Sequence, residues 1–225
     1  MIPWKELGRA VVPGETEPLV LSQREDEFVI RIGRHPLMSS RAHGTEELLA
    51  ELACAGLAGR DAARVLVGGL GMGFTLAAAL RHLGHDARIV VAELVPALVA
   101  WNRGPLAPLA GRPLDDARVT VRETDVAEVM REQEDALDAI LLDVDNGPSG
   151  LTRAANDWLY SHAGLRAAHG ALRGRGVLGV WSVATDPAFA RRLREIGFDV
   201  EERFAKARRT KGGQHSLWLA TRGMR

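Results

Sequence analysis

A short β-branched run, Arg64-Val65-Leu66-Val67, leads directly into Gly68-Gly69-Leu70-Gly71-Met72-Gly73, and an apolar stretch from Phe74 to Leu83 follows. The run reads as a buried parallel strand and the stretch as a helix, so four glycines crowd one strand-to-helix turn. Gly68, Gly69, Gly71 and Gly73 permit positive φ and a close approach of backbone to ligand, while the first N–H groups of the helix face its mouth. A second apolar run, Arg88-Ile89-Val90-Val91-Ala92, ends at Glu93. That places a carboxylate at a strand tip, where it can accept hydrogen bonds from two vicinal ribose hydroxyls. Leu76 occupies the position three after Gly73, so the final small residue of a dinucleotide fingerprint is missing. A glycine turn with a strand-tip acid and no pyrophosphate fingerprint points to an adenosine-type ligand.

The rest of the chain places that turn in an α/β domain. From Arg64 onward strand and helix patterns alternate, which is the mark of a doubly wound parallel sheet. The expected strands are 64–67, 88–92, 118–122, 138–143, 176–182, 198–204 and 215–220. The last two are joined by a loop containing Gly212-Gly213 with no helix between, so they should pair as a hairpin. Seven strands with an antiparallel last strand define a Rossmann-like, class I methyltransferase-type fold. Ahead of it, residues 1–45 read as an arm and a small β unit: 1–18 are rich in proline and glycine, with Trp4 as an anchor. Leu19-Val20-Leu21 and Glu27 to Ile32 then read as a β-hairpin, and Leu37 to Gly44 lacks a period. Thr45 is expected to cap a helix from Glu46 to about Leu57, opening the catalytic domain at 46–225.

Composition excludes several classes. With 29 basic and 29 acidic residues, and Lys206 to Lys211 as the longest basic run, no dedicated nucleic-acid surface is expected. The start of the chain has no apolar leader and no run approaches a membrane span, so a cytoplasmic protein is expected. Cys54 is the only cysteine and sits in an apolar helical setting, which makes it a packing residue. No cluster has metal-ligand spacing, so no metal is expected.

The chain resembles the spermidine synthase family, polyamine aminopropyltransferases that use decarboxylated S-adenosylmethionine. The similarity runs from about Leu19 to the C-terminus. Gly68 to Gly73 resembles the family's G-G-G-D-G-G turn, and Glu93 its ribose-binding acid. Asp125, in Glu123-Thr124-Asp125-Val126, resembles the acid that contacts the adenine amino group. Glu46, in Glu46-Glu47-Leu48-Leu49-Ala50, resembles the polyamine-facing glutamate. Asp143 stands where the family's D-S-S-D-P motif begins, its second aspartate either shifted to Asp145 or replaced by Asn146, and Leu159-Tyr160 stands where its L-Y/F occurs. Two departures stand out: Gly71 replaces the turn aspartate that grips the aminopropyl amine, and Trp181 lies about where the family has a polyamine-binding glutamine.

These residues define the expected chemistry. The co-substrate is S-adenosylmethionine or its decarboxylated form, whose sulfonium activates the carbon that is transferred. The protein has mainly to hold an amine in line and manage one proton. Asp143, at a strand end on the crevice, is the expected acceptor of that proton and also borders the co-substrate. Glu46, Asp145, Tyr160 and Trp181 are the expected acceptor-binding residues, with Trp158 as a candidate further wall, whereas His43 and His162, as lone histidines, read as surface or packing residues rather than acid–base groups. Gly71 and Trp181 tilt the expectation to methyl transfer, with aminopropyl transfer and a nucleoside-binding protein without turnover as the alternatives. The partner is a small-molecule acceptor. The small apolar β unit, which lacks a full core, makes a homodimer the expected assembly.

Overall fold

The computed structural model describes residues 2–13, 17–144, 148, 157–208 and 211–224. Two sheets organise them. The first is a four-stranded antiparallel meander of β1 (Lys5–Ala10), β2 (Leu19–Arg24), β3 (Glu27–Ile32) and β4 (His35–Ser39). It is larger than the hairpin read from the sequence. Residues 5–10 are a strand, paired to β2 through a register shift between Glu6 and Gly8. At that point β1 crosses Trp101 so closely that a Cβ on Gly8 would sit 2.5 Å from the indole Nε1. Residues 35–39 are a second unforeseen strand, paired to β3 with its own register shift. Both are edge strands with proline and glycine nearby, and their pairing partners supply an order that their own composition does not. Trp4 lies against the guanidinium groups of Arg24 and Arg31, at 4.5 and 4.8 Å from its ring centroid.

The second sheet has seven strands: β5 (Arg64–Gly68), β6 (Arg88–Ala92), β7 (Val119–Arg122), β8 (Leu137–Leu142), β9 (Leu172–Ser182), β10 (Phe198–Arg208) and β11 (Lys211–Arg222). Their spatial order is β10-β11-β9-β8-β5-β6-β7, with β11 antiparallel to both neighbours and the five strands from β9 to β7 parallel. This is the expected methyltransferase-type sheet. β9 starts earlier than expected because Leu172 pairs with Leu137 before the Arg173 to Gly176 segment bulges and Val177 resumes the ladder at Ala139.

Helices cover both faces. On one side lie α1 (Gly44–Cys54), α2 (Phe74–His82) and α3 (Pro96–Arg103), and buried Ala50, Leu76 and Val99 meet Val65, Val67 and Leu141 there. On the other, α4 (Val126–Arg131), α5 (Asp157–Tyr160), α6 (His162–Ala171) and α7 (Pro187–Ile196) pack Val129, Leu165 and Phe189 on Ile140, Leu178 and Trp218. Thr45 does not cap α1. His43 holds that position without a side-chain hydrogen bond, and Thr45 is buried inside the first turn. The small sheet docks on the large domain through Leu21, Phe28 and Ile30, which meet Met72, Leu98 and Trp101. No helix among the described residues is long and apolar enough to cross a membrane.

The sheet order reverses between β5 and β8, which are neighbours although β6 and β7 intervene in sequence. Ligands of such sheets bind in the crevice beyond the strand ends at this switch. Gly68 closes β5 there, and its carbonyl accepts the N–H of Asp143 at 3.0 Å.

Candidate active site

The crevice holds two adjoining cavities. The first, about 100 Å³, lies between the glycine turn, the ends of β6 and β7, and the small sheet. Gly69 and Gly73 adopt φ of +85° and +86°. A Cβ on Gly69 would lie 2.4 Å from the Asp143 carbonyl oxygen, and one on Gly73 would lie 2.9 Å from Asn102 Oδ1. One on Gly68 would strike Val126 Cγ2 at 2.8 Å. Packing therefore favours glycine at all three positions, and conformation favours it at Gly69 and Gly73 as well. Gly71 differs: its φ is +53°, its Cβ would meet only Met38 Sδ at 3.6 Å, and it borders both cavities.

Glu93 is 5% exposed on the wall of this first cavity. Its Oε2 accepts the Leu70 N–H and its Oε1 the Val95 N–H, each at 2.8 Å. The strand-tip acid thus ties the glycine turn to the start of α3 as well as lining the cavity. Asn102, on α3, donates to the Gly71 carbonyl at 2.8 Å and to that of Leu98 at 2.9 Å. Asp125 lines the same cavity and caps α4, its Oδ1 accepting the Ala127 N–H at 2.8 Å.

The second cavity, about 50 Å³, shares Leu37, Met38, Gly71 and Asp143 with the first. Beyond them its walls include Glu46 from the first turn of α1, Phe74 from α2 and Trp181 from β9. Asp143 Oδ2 accepts a 2.5 Å hydrogen bond from Thr75 Oγ, a buried hydroxyl on α2. Burial pushes the Asp143 carboxyl up to about 6, with the Thr75 bond opposing it. Glu46 is raised well above the carboxylate range by burial, then by the Asp143 charge and the Glu47 charge. The two acids occupy one poorly solvated site and are reluctant to be ionised together. Among the described residues lining either cavity, Glu46, Glu93, Asp125 and Asp143 are acids, and none is lysine or arginine.

Trp181, 8% exposed, donates from Nε1 to Thr45 Oγ at 3.0 Å. Thr45 Oγ is in turn 2.8 Å from His215 Nδ1, and the His215 and Trp181 rings meet edge to face at 4.6 Å.

The structure brings together Gly68, Gly69, Gly71, Gly73, Glu93, Asp125, Asp143, Glu46 and Trp181, and it leaves Tyr160 out. That ring is buried on the opposite face of the sheet, edge-on to Phe189, and its hydroxyl donates to the Val144 carbonyl at 3.3 Å. The residue therefore steadies the exit of β8 from the core side. Asp145 lies outside the described residues. Trp158 carries Arg131 over its ring at 3.9 Å and packs against the same core face as Tyr160. His162 pairs with Glu195 at the surface, whereas His43 stacks on Phe74 at 4.0 Å between centroids. Cys54 is fully buried, which pushes its thiol up to about 12 and leaves it inert. No three His, Cys, Asp or Glu residues are grouped to hold a metal among the described residues.

Sequence reasoning missed Thr45, Thr75, Asn102 and His215. Asn102 carries a legible signal, as a polar residue that follows the apolar Ala97 to Trp101 stretch one helical turn after Leu98. The others become visible only when α1, α2, β9 and β11 are brought together.

A glycine turn, a strand-tip acid, a second acid beyond β7 and a crevice acid thus converge at the switch point of a seven-stranded methyltransferase-type sheet. Solved structures narrow the likeness. A spermidine synthase from Thermotoga maritima superposes with a TM-score of 0.76 at 17% identity, covering 98% of this chain and 74% of that one. A spermidine synthase in complex with the transition-state analogue AdoDATO gives 0.75 at 17% identity, with 98% and 73% covered. A probable spermidine synthase from Corynebacterium glutamicum gives 0.65 at 17% identity, with 96% and 79% covered. The chain thus has the spermidine synthase fold. No family model matches the sequence, and no curated protein sequence does.

Proposed function

We propose that this protein is an aminopropyltransferase, moving the aminopropyl group of decarboxylated S-adenosylmethionine to a primary amine. The observation that carries this reading is the charge of the crevice: four acids line the two cavities, and no cation does so among the described residues. Decarboxylated S-adenosylmethionine and a protonated amine are both cationic, and acids attract them. Intact S-adenosylmethionine brings a carboxylate that would lie near Asp143 with no side-chain cation to meet it. The likeness to spermidine synthases supports the same choice, so the tilt to methyl transfer drawn from Gly71 and Trp181 gives way.

In this reading the adenosine occupies the first cavity, with its ribose at Glu93 and its adenine at Asp125. The amine enters the second cavity as an ammonium between Asp143 and Glu46. Asp143 takes one proton from it. The freed nitrogen lone pair attacks the aminopropyl carbon bonded to sulfur, a C–N bond forms, and the C–S bond breaks with its electron pair going to sulfur. The products are the alkylated amine and methylthioadenosine. The raised carboxyl of Asp143 suits the task, since a base near neutrality both accepts and later releases the proton. Thr75 holds the oxygen it bonds, which leaves Oδ1 toward the cavity.

Incubation with each sulfonium compound and a panel of primary amines, followed by mass spectrometry, tests the reading. Methylthioadenosine with an amine heavier by an aminopropyl group is the expected result. S-adenosylhomocysteine as the product would establish methyl transfer instead.

A further inference from the structure

The ends of β5 and β6 away from the crevice carry the opposite charge. Arg64 opens β5 and Arg88 opens β6, about 13 Å along the strands from the Gly68 and Ala92 that close them beside the crevice. The two arginines are register partners, so their side chains leave neighbouring strands on one face of the sheet. Leu66, Val90, Thr120 and Arg122 share that face, through the pairings of Leu66 with Val90, Val90 with Thr120 and Ala92 with Arg122. The short helix α4 covers it only in part, leaving Thr120 exposed and Val90 half-buried. Between the strand starts and Gln133, just past α4, lies a groove of about 480 Å³. That volume is within the roughly 300–1,000 Å³ of small-molecule sites.

Four arginines line the groove, Arg64, Arg88, Arg118 and Arg122, and Asp86 is the one acid among its described lining residues. Two of the four are already matched: Arg118 grips Asp116 through Nε and Nη2, and Arg122 pairs with Glu132. Asp86 is turned to the backbone, its Oδ2 accepting the Ala62 N–H at 2.7 Å. Among the described residues Arg64 reaches the Gln133 amide oxygen alone, at 3.5 Å, and the Arg88 side chain has no hydrogen bond or ion pair. Two like charges held in register on adjacent strands repel each other. A dianion between them removes the repulsion and meets donors on both sides. Two free guanidiniums suit one phosphate group and fall far short of the track of cations that holds a nucleic acid.

We propose that this groove is a second binding site, for a phosphate group, free or borne by a small molecule, that bridges the Arg64 and Arg88 guanidiniums. Each guanidinium presents a planar pair of donors to the phosphate oxygens. Val90 and Thr120 lie beside them on the same face and offer an apolar and a hydroxyl contact to whatever carries the phosphate. The four acids of the crevice repel such a ligand, so the two sites divide by charge along the sheet. The groove shares no lining residue with either crevice cavity, and its occupancy does not depend on which group the crevice transfers.

Calorimetric titration of the purified protein with sodium phosphate and with ribose 5-phosphate tests the site, at low ionic strength and with and without methylthioadenosine. A Kd of about 1 mM or tighter is expected for at least one of the two, unchanged by methylthioadenosine because the crevice lies elsewhere. Tighter binding of ribose 5-phosphate assigns Val90 and Thr120 to its sugar, whereas equal binding assigns the groove to phosphate alone; both uphold the site. Arg64→Gln and Arg88→Gln should each weaken binding by about tenfold or more, as the loss of one charge-assisted partner does. Both side chains are exposed, so both variants should fold and melt close to the parent. Neither a heat nor a rise in Tm with either compound overturns the proposal. So does binding that Arg64→Gln and Arg88→Gln leave unchanged, or that methylthioadenosine abolishes. An equal loss in Arg191→Gln, which removes the same charge from α7 outside the groove, would also overturn it.

Discussion

The two halves of the crevice are built on opposite plans. Around the first cavity, which the proposed function gives to the donor, backbone groups and hydrogen-bonded polar side chains make the wall: Glu93 ties two N–H groups, Asn102 ties two carbonyls, and Asp125 caps a helix. Around the second, which it gives to the acceptor, side chains from β4, α1, α2, the exit of β8 and β9 converge, namely Met38, Glu46, Phe74, Asp143 and Trp181, and two carboxyls are held where neither is well solvated. The donor side is thus stabilised by its own hydrogen bonds, whereas the acceptor side carries two poorly solvated carboxyls that a bound cation would relieve.

Substitutions on the two sides should separate accordingly. The largest effect is expected from Gly69→Ala, because the new Cβ would lie 2.4 Å from the Asp143 carbonyl at a φ of +85°. Loss of the cooperative thermal transition, or a drop in Tm beyond any other variant, is the outcome to measure. Asp143→Asn comes next. Turnover should fall by about 10²–10⁴ while calorimetric affinity for the adenosyl compound stays within a few-fold, and higher pH should restore part of the rate by delivering more neutral amine. Equal turnover by parent and variant at every pH would remove Asp143 from the proton transfer.

Glu93→Ala should affect both ligand and fold. Losing the ribose contact weakens donor binding by one to two powers of ten, from a charge-assisted bond worth about 1.5–3 kcal/mol. Leaving the Leu70 and Val95 N–H groups unpaired should also lower Tm, so an unchanged melt would show that water replaces the carboxylate. Gly71→Asp sharpens the comparison from the other direction. Its φ of +53° is one that aspartate tolerates, and the nearest atom to a new Cβ is 3.6 Å away, so affinity for decarboxylated S-adenosylmethionine should rise. Weaker binding of both sulfonium compounds would mean that the carboxylate blocks the cleft.

Glu46→Gln should have the smallest effect, and in stability. The folded-state pKa of Glu46 lies above its unfolded value, so its contribution is favourable below the unfolded pKa and is lost as pH rises through the folded one. A neutral amide escapes that loss. Tm at pH 8 should therefore exceed the parent's, with the gain fading toward pH 4.

The donor side and the large sheet are legible in the sequence because each of their signals is local. The glycine turn, the β6 run ending at Glu93, and the Asp125 that precedes α4 each lie within a few residues of the element that places them. The acceptor side is legible only in part. Asp143 is readable as a strand-end acid on the crevice, but its partners Thr75 and Glu46 reach it from other helices. Tyr160 shows the limit of reading by motif position, since a one-sided packing decision sends its ring to the core face of the sheet. The edge strands β1 and β4 escaped notice because edge pairing tolerates proline, glycine and polar residues that a central strand would not.

The small sheet supplies Leu19, Ile32, Leu37 and Met38 to the first cavity, and the segment after β1 adds Val12, yet this unit meets the large domain through side-chain packing. If that packing opens reversibly, the state that completes the cavity is the docked one. Were it docked only about a tenth of the time, donor affinity would weaken about tenfold with every contact on the large domain intact. By reciprocity, donor binding must clamp the meander, and the amides of β2 and β3 should exchange their hydrogens more slowly once the cavity is filled.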